Sequence, residues 1–146
     1  EAKVIIDSFY KIYPEIKEYF DRIIEEAKKT NYVVTMFNRR RYIKELASDN
    51  YQTREFGRRA AKNAPIQGTA ADLIKIAMIK IEQALTENKL KSRLVLQIHD
   101  ELIFKVYEEE KDQVYSLAKE IMEHVINSKV KLEVDGGIAK TWYDTK

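Results

Sequence analysis

The tripeptide His99-Asp100-Glu101 contains the residue types that most directly suggest chemistry in this sequence. Largely apolar stretches flank it at residues 94–98 and 102–104, and both are rich in residues that favour β-strands. The pattern predicts a tight β-hairpin with a charged tip, since His and Asp tolerate turn conformations better than most residues. Because two adjacent carboxylates repel each other, we expect a positive partner there, and a divalent cation is the obvious candidate.

The carboxylates of Asp100 and Glu101 are hard oxygen ligands, of the type that binds Mg²⁺ together with water and phosphate oxygens. Two-metal phosphoryl transfer uses such carboxylates to hold two ions about 4 Å apart. A solvated polar turn is the competing interpretation, and the tripeptide alone does not decide between them. His99 is interpreted as a hydrogen-bonded structural residue rather than a zinc ligand, because no second His or Cys lies near it at ligand spacing.

Arg59, Asn63 and Gln67 recur every four residues and form a second candidate site. One helical turn separates neighbours, so they share a helix face if the chain keeps its direction past Pro65. Their side chains can donate hydrogen bonds to acceptors that occur in the minor groove of every base pair, which tests pair geometry rather than sequence. An ordinary polar helix face explains the spacing equally well.

The run Arg39-Arg40-Arg41 is the third candidate, predicted at the tip of a short hairpin. Clustered guanidiniums at a tip can clamp phosphates in a bidentate manner, although a solubilising turn is a comparable explanation. The net charge is only +2, but basic residues concentrate in the middle third of the chain. A local basic patch in a near-neutral protein suits a nucleic-acid or phosphate partner.

The spacing of apolar residues predicts the elements that would position these side chains. Pro65 is expected to end one helix, and residues 132–138 are expected to form a last strand. The predicted fold class is α+β, an antiparallel sheet with helices on one side. Helices are predicted at residues 2–12, 14–31, 51–64, 70–85 and in a stripe that begins at residue 114.

Burial can also be predicted from these patterns. The helix at 70–85 has a wide apolar face and is expected to be buried on most sides. In the hairpin, strict alternation places Leu94 on one face and Phe104 on the other. Both hairpin faces are largely apolar, so both are expected to be covered.

The composition is that of a soluble globular domain, because 45% of the 146 residues are hydrophobic and 34% are charged. Cysteine is absent, which excludes disulfides and suits a reducing compartment, so a cytoplasmic location is expected. No apolar run approaches the length of a membrane span, and no membrane partner is expected.

Three stretches, read in order, resemble the C-terminal part of the bacterial family A DNA polymerases. They are YVVTMFNRRRY at 32–42, NAPIQGTAAD at 63–72 and LQIHDEL at 96–102. The resemblance implies template-directed transfer of a nucleotide from a dNTP to a primer 3′ end, with two Mg²⁺ ions in the complete enzyme. It also implies an antiparallel palm sheet whose hairpin carries the catalytic acids, with residues 1–50 as part of the fingers and 51–146 as part of the palm.

The resemblance assigns roles to the acidic turn. Asp100 corresponds to the palm aspartate that binds both metals, and Glu101 to the neighbouring carboxylate that assists there. His99 corresponds to the histidine that contacts the primer terminus.

The basic and amide residues receive roles in binding DNA. Arg59, Asn63 and Gln67 correspond to residues that contact the primer-template in the minor groove, and Arg40 and Arg41 to basic residues near the template strand.

The sequence departs from the family pattern in two ways. Asn38 stands where the family usually has Gly before the arginines, and Asn also tolerates a positive φ. The second metal-binding aspartate and the fingers helix that holds the dNTP are expected before Glu1, in a missing N-terminal part of the polymerase. The isolated chain is therefore expected to be inactive.

Other functions remain open from the sequence. The chain could be a non-catalytic module that grips duplex DNA, or one half of a split polymerase. A metal hydrolase that uses His99, Asp100 and Glu101 is a further alternative, and it would need no primer or template.

Overall fold

A computed structural model of the chain describes residues 2–145 and shows a mixed fold of helices and small antiparallel sheets. The chain divides after Thr69 into two units. Short 3-10 turns lie at Lys44–Ala47, Glu108–Glu110 and Trp142–Thr145. The longer elements are α1 (Ala2–Ile12), α2 (Pro14–Thr30), β1 (Tyr32–Val34), β2 (Arg40–Tyr42), α3 (Tyr51–Glu87), β3 (Arg93–Ile98), β4 (Glu101–Lys105) and α4 (Lys111–Glu123).

The first unit begins with the two predicted helices. Pro14 opens α2, where its missing N–H removes no helical hydrogen bond. Asn31 ends α2 in the left-handed conformation, with φ of 62°, and its N–H bonds to the carbonyl of Ala27. The core of this unit joins α2, the β1–β2 hairpin and α3 through Ile23, Ala27, Val33, Ile43, Leu46, Ala61 and Ala64.

Helix α3 runs through Pro65, so the predicted break at that residue is wrong. Its start is as expected, since the Asn50 carboxamide oxygen accepts the N–H of Thr53 at 3.1 Å. An interior proline costs about 3 kcal/mol. Ala61, Ala64 and Pro65 are all buried, and their five methyl or methylene groups contribute a comparable amount at about 0.8 kcal/mol each. Packing therefore keeps the helix continuous.

The second unit contains the hairpin formed by β3 and β4. Ile98 pairs with Glu101, which places His99 and Asp100 in the turn as predicted. A bulge between Leu94 and Leu96 adds one residue to β3, so Leu94 pairs with Phe104 instead of facing away from it. One hairpin face packs on α3 and α4, as the helical stripe predicted, through a cluster built on Ile81, Leu85, Val114 and Ala118 with Leu102 and Phe104 beside it.

The expected burial of both hairpin faces is wrong for the part of the chain that the structure describes. Val95 and Leu96 are 51% and 50% exposed. Ile79 is 60% exposed, so the second half of α3 is not buried on most sides either. The spacing of apolar residues predicts that a face is apolar. It does not predict whether other residues of the same chain cover that face.

The predicted last strand at residues 132–138 is not formed, and the β3–β4 sheet has two strands. This segment bonds to α4 instead, because the Glu123 carboxylate accepts the N–H of Val134 at 3.1 Å. The Tyr115 hydroxyl donates to the carbonyl of Gly136 at 3.5 Å. Gly136 and Gly137 also weaken any strand there, since glycine has no side chain to pack on a sheet.

The Glu110 carboxylate holds the chain at the base of the hairpin. It accepts hydrogen bonds from the N–H of Lys91 at 3.0 Å, the N–H of Ser92 at 2.8 Å and the Ser92 hydroxyl at 2.6 Å. The N–H of Lys91 and the Ser92 hydroxyl stabilise the charged form most, and they lower the pKa of Glu110. The ionised carboxylate is therefore the form that ties residues 91–92 to the turn before α4.

We expect Glu110→Gln to lower the melting temperature at pH 7. A carboxyl group whose pKa is lowered by folding stabilises the fold above its unfolded pKa and loses that contribution as pH falls. The difference between Glu110→Gln and the unsubstituted chain should therefore shrink below about pH 4. Thermal denaturation at several pH values checks this, with Glu109→Gln as the matched control. A difference independent of pH would contradict the role of the ionised carboxylate.

Candidate functional site

The acidic turn of the second unit presents its side chains to solvent. His99 has φ of 53°, as at the first central position of a type II′ turn, where a non-glycine residue is uncommon. Both carboxylate residues, Asp100 and Glu101, are exposed. The side-chain amide of Gln97 donates to the carbonyl of His99 at 2.9 Å and fixes the peptide before Asp100. The hairpin thus holds two adjacent carboxylates at one defined end.

Gln97 is a residue of this site that the sequence patterns do not predict. The available signal was a polar residue inside an otherwise apolar strand, within the stretch that resembles the polymerases. A side chain that bonds back to its own turn is a local interaction, and the shorter Ser, Thr, Asn and Asp are its usual source.

The donor chemistry of this turn fits Mg²⁺ in type but not in number. Asp100 and Glu101 supply carboxylate oxygens, which Mg²⁺ prefers, but the ion binds six oxygens in near-ideal octahedral geometry. Within residues 2–145, no group of three or more His, Cys, Asp or Glu side chains is placed to hold a metal ion. The two residues could therefore hold Mg²⁺ only together with oxygens from water, a nucleotide or further carboxylates.

The first unit carries the predicted row of donors on α3. Arg59, Asn63 and Gln67 are all exposed. Because the helix continues through Pro65, the three residues follow one face, and we call them the polar row. The row spans about 12 Å along the helix axis. Its length and its donor groups suit several neighbouring contacts along one groove.

The arginine hairpin (residues 32–42) is formed as predicted, but its arginines are not all at the tip. Its turn is closed by the N–H of Thr35 donating to the carbonyl of Arg39 at 3.0 Å, with Asn38 at φ of 60° as expected. Arg40 and Arg41 lie in β2 rather than at the tip. Since neighbouring residues of a strand point to opposite faces, these two guanidiniums do not form the single phosphate clamp that a run of arginines suggested.

The two arginines of β2 have different surroundings. The Arg40 guanidinium lies 4.8 Å from the centre of the Tyr32 ring, a cation–π contact that leaves its edge free for hydrogen bonds. Arg41 pairs with Val33 and lines a small cleft with Ala64 and Gly68 of α3. Both residues are exposed, each on its own face of the hairpin.

No helix in residues 2–145 combines the length and the apolar character that a membrane crossing would need.

Comparison with known proteins gives a consistent result. The model of the family described as DNA polymerase family A matches residues 1–144. The whole chain is 45% identical to a DNA polymerase I of Caldicellulosiruptor bescii and 44% identical to one of Geobacillus stearothermophilus. It spans 17% of the length of each of these relatives.

A solved structure adds a comparison at the level of the fold. It is the polymerase domain of Pol1 from M. smegmatis, in complex with DNA primer-template and dNTP. The match has a TM-score of 0.94 and 42% sequence identity, and it covers 99% of this chain and 26% of that chain.

These comparisons confirm the resemblance carried by residues 32–42, 63–72 and 96–102. The family match extends far beyond those three stretches, over almost the full length. The chain belongs to DNA polymerase family A.

Proposed function

We propose that this chain works as part of a DNA-directed DNA polymerase, which transfers a nucleotide from a dNTP to the 3′ end of a primer as the template directs. The observation that carries the proposal is the TM-score of 0.94 with a polymerase domain solved together with primer-template and dNTP. The 45% identity to a DNA polymerase I over the whole chain supports it. In this proposal primer-template DNA, dNTP and the rest of a polymerase are the partners, and the cytoplasm is the location.

The acidic turn is proposed to be the catalytic end of the palm. Asp100 and Glu101 would hold Mg²⁺, which when bound stabilises the charge that develops on the attacking and leaving oxygens. The hairpin keeps these carboxylates at the end of two paired strands, so little reorganisation is needed to present them. His99, whose carbonyl is held by Gln97, would contact the primer terminus.

The first unit is proposed to bind the primer-template. The polar row would donate hydrogen bonds to minor-groove acceptors, which are present in every base pair. Arg40 and Arg41 would contact phosphates of the template strand. We further propose that residues 1–50 belong to the fingers and residues 51–146 to the palm.

The isolated chain should not extend a primer, because two carboxylates bind Mg²⁺ weakly without further anionic ligands. A primer-extension assay with the purified 146-residue chain checks this expectation. Clear Mg²⁺-dependent extension would contradict it. Hydrolysis of DNA without primer or template would favour a metal hydrolase instead.

In a complete polymerase that contains this chain, Asp100→Asn should abolish extension and leave DNA affinity almost unchanged. The amide keeps the shape of the side chain but removes the charge that holds the metal ion. The loss of rate should exceed the roughly 100-fold cost of losing an outer-shell partner. Single-turnover extension and DNA binding are measured side by side, with Asp112→Asn of α4 as control. Equal loss of rate and affinity would refute the metal role.

In the same polymerase, Arg59→Ala should weaken primer-template binding by about 1.5 to 3 kcal/mol, with little dependence on sequence. Its guanidinium would contact acceptors that all base pairs share. Arg58→Ala is the matched control, since Arg58 lies 3.4 Å from Glu55 in an ion pair on the same helix. Titrations with several duplex sequences decide the question, and a strong preference for one base pair would argue against geometry sensing.

A further inference from the structure

We propose that Thr69 is a positioning residue, which locks the arginine hairpin onto α3 and so sets where Arg41 lies beside the polar row. This inference rests on the proposed DNA-binding role of the first unit. Thr69 itself would contact no DNA. It would act through the backbone of the hairpin turn.

The hydroxyl of Thr69 joins two elements that are distant in sequence. It donates to the carbonyl of Pro65 at 2.6 Å, one helical turn earlier in α3. It also accepts the N–H of Met36 at 3.0 Å, which lies in the turn of the arginine hairpin. One hydroxyl thus uses both its donor and an acceptor lone pair, and through them it bonds to the helix and to the turn at once.

Two neighbouring contacts restrain the turn further. The Arg39 guanidinium donates to the carbonyl of Gly68 at 3.0 Å. A Cβ atom on Gly68 would lie 2.6 Å from the methyl carbon of Thr35, so only glycine permits this approach. Thr35 is buried, and its hydroxyl accepts the N–H groups of Phe37 and Arg39 at 3.2 Å each. The turn is therefore ordered internally and fixed to residues 68–69.

Arg41 is the residue that this lock would position. The β2 strand follows the turn directly, and Arg41 lines the cleft with Ala64 and Gly68. These two residues are the sequence neighbours of Asn63 and Gln67 in the polar row. A shift of the turn would move Arg41 relative to the row, and a small displacement of a charged group changes its contact with a phosphate strongly.

The test replaces Thr69 in a complete polymerase that contains this chain. Thr69→Val keeps the shape and removes both hydrogen bonds. It should weaken primer-template binding about 3- to 10-fold. It should also reduce the slope of log affinity against log salt by about 1, because one phosphate contact is lost. Thr69→Ser should restore both values, and Thr69→Ala, with its higher helix propensity, serves if the valine variant does not fold.

Thr86→Val is the matched control. Thr86 lies in the same helix and makes the same bond to the carbonyl four residues earlier, at 2.9 Å from Glu82. This substitution should leave affinity and salt slope unchanged. If it weakens DNA binding as much as Thr69→Val does, the effect belongs to the helix in general and the proposal is overturned.

A double-mutant cycle with Arg41→Ala separates positioning from general stability. If Thr69 acts through Arg41, Thr69→Val should have no further effect on affinity once Arg41 is removed. Additive effects, or a lower melting temperature with an unchanged salt slope, would overturn the proposal. Such a failure is distinct from failure of the proposed DNA-binding role, which would be rejected if Arg41→Ala and Arg59→Ala both left primer-template affinity unchanged.

Discussion

The burial of Ala61 and Ala64 around Pro65 is the packing on which the first unit depends. It keeps α3 helical where a proline would otherwise end it. Continuity gives Arg59, Asn63 and Gln67 a common face, and it brings Gly68 and Thr69 to the turn of the arginine hairpin. The packing of three small apolar residues thus determines how the exposed polar row is arranged on the opposite side of the helix.

Much of this arrangement could be predicted from local sequence. Pro14 starts a helix and Asn31 ends one because a single residue's backbone preference dominates at helix termini. His99 and Asp100 form the turn because the flanking strands leave only two residues to reverse the chain. The spacing of Arg59, Asn63 and Gln67 indicates a common face only if the helix continues past Pro65, whereas the family could be inferred from three short stretches.

Other features could not be predicted because they depend on contacts between distant residues. Pro65 predicts a helix break when only the local sequence is considered, because the core that packs against it is formed by distant residues. The bulge at Val95 changes the face of Leu94, and no local pattern announces an extra residue in one strand. Residues 132–138 alternate like a strand, yet Glu123 and Tyr115 of α4 take their backbone hydrogen bonds. The adjacent Arg40 and Arg41 suggest a single cluster of guanidiniums, but the pleat of β2 places their side chains on opposite faces.

The left-handed backbone at Asn38 limits which residues can stand in this turn. The turn requires a positive φ at this position, and Asn38 adopts one of 60°. Asn can do so because its short polar side chain tolerates the left-handed region. Glycine would meet the same requirement at no steric cost, whereas a β-branched residue would strain the backbone. A β-branched substitution at this position would therefore disturb the turn that sets the register of β1 with β2.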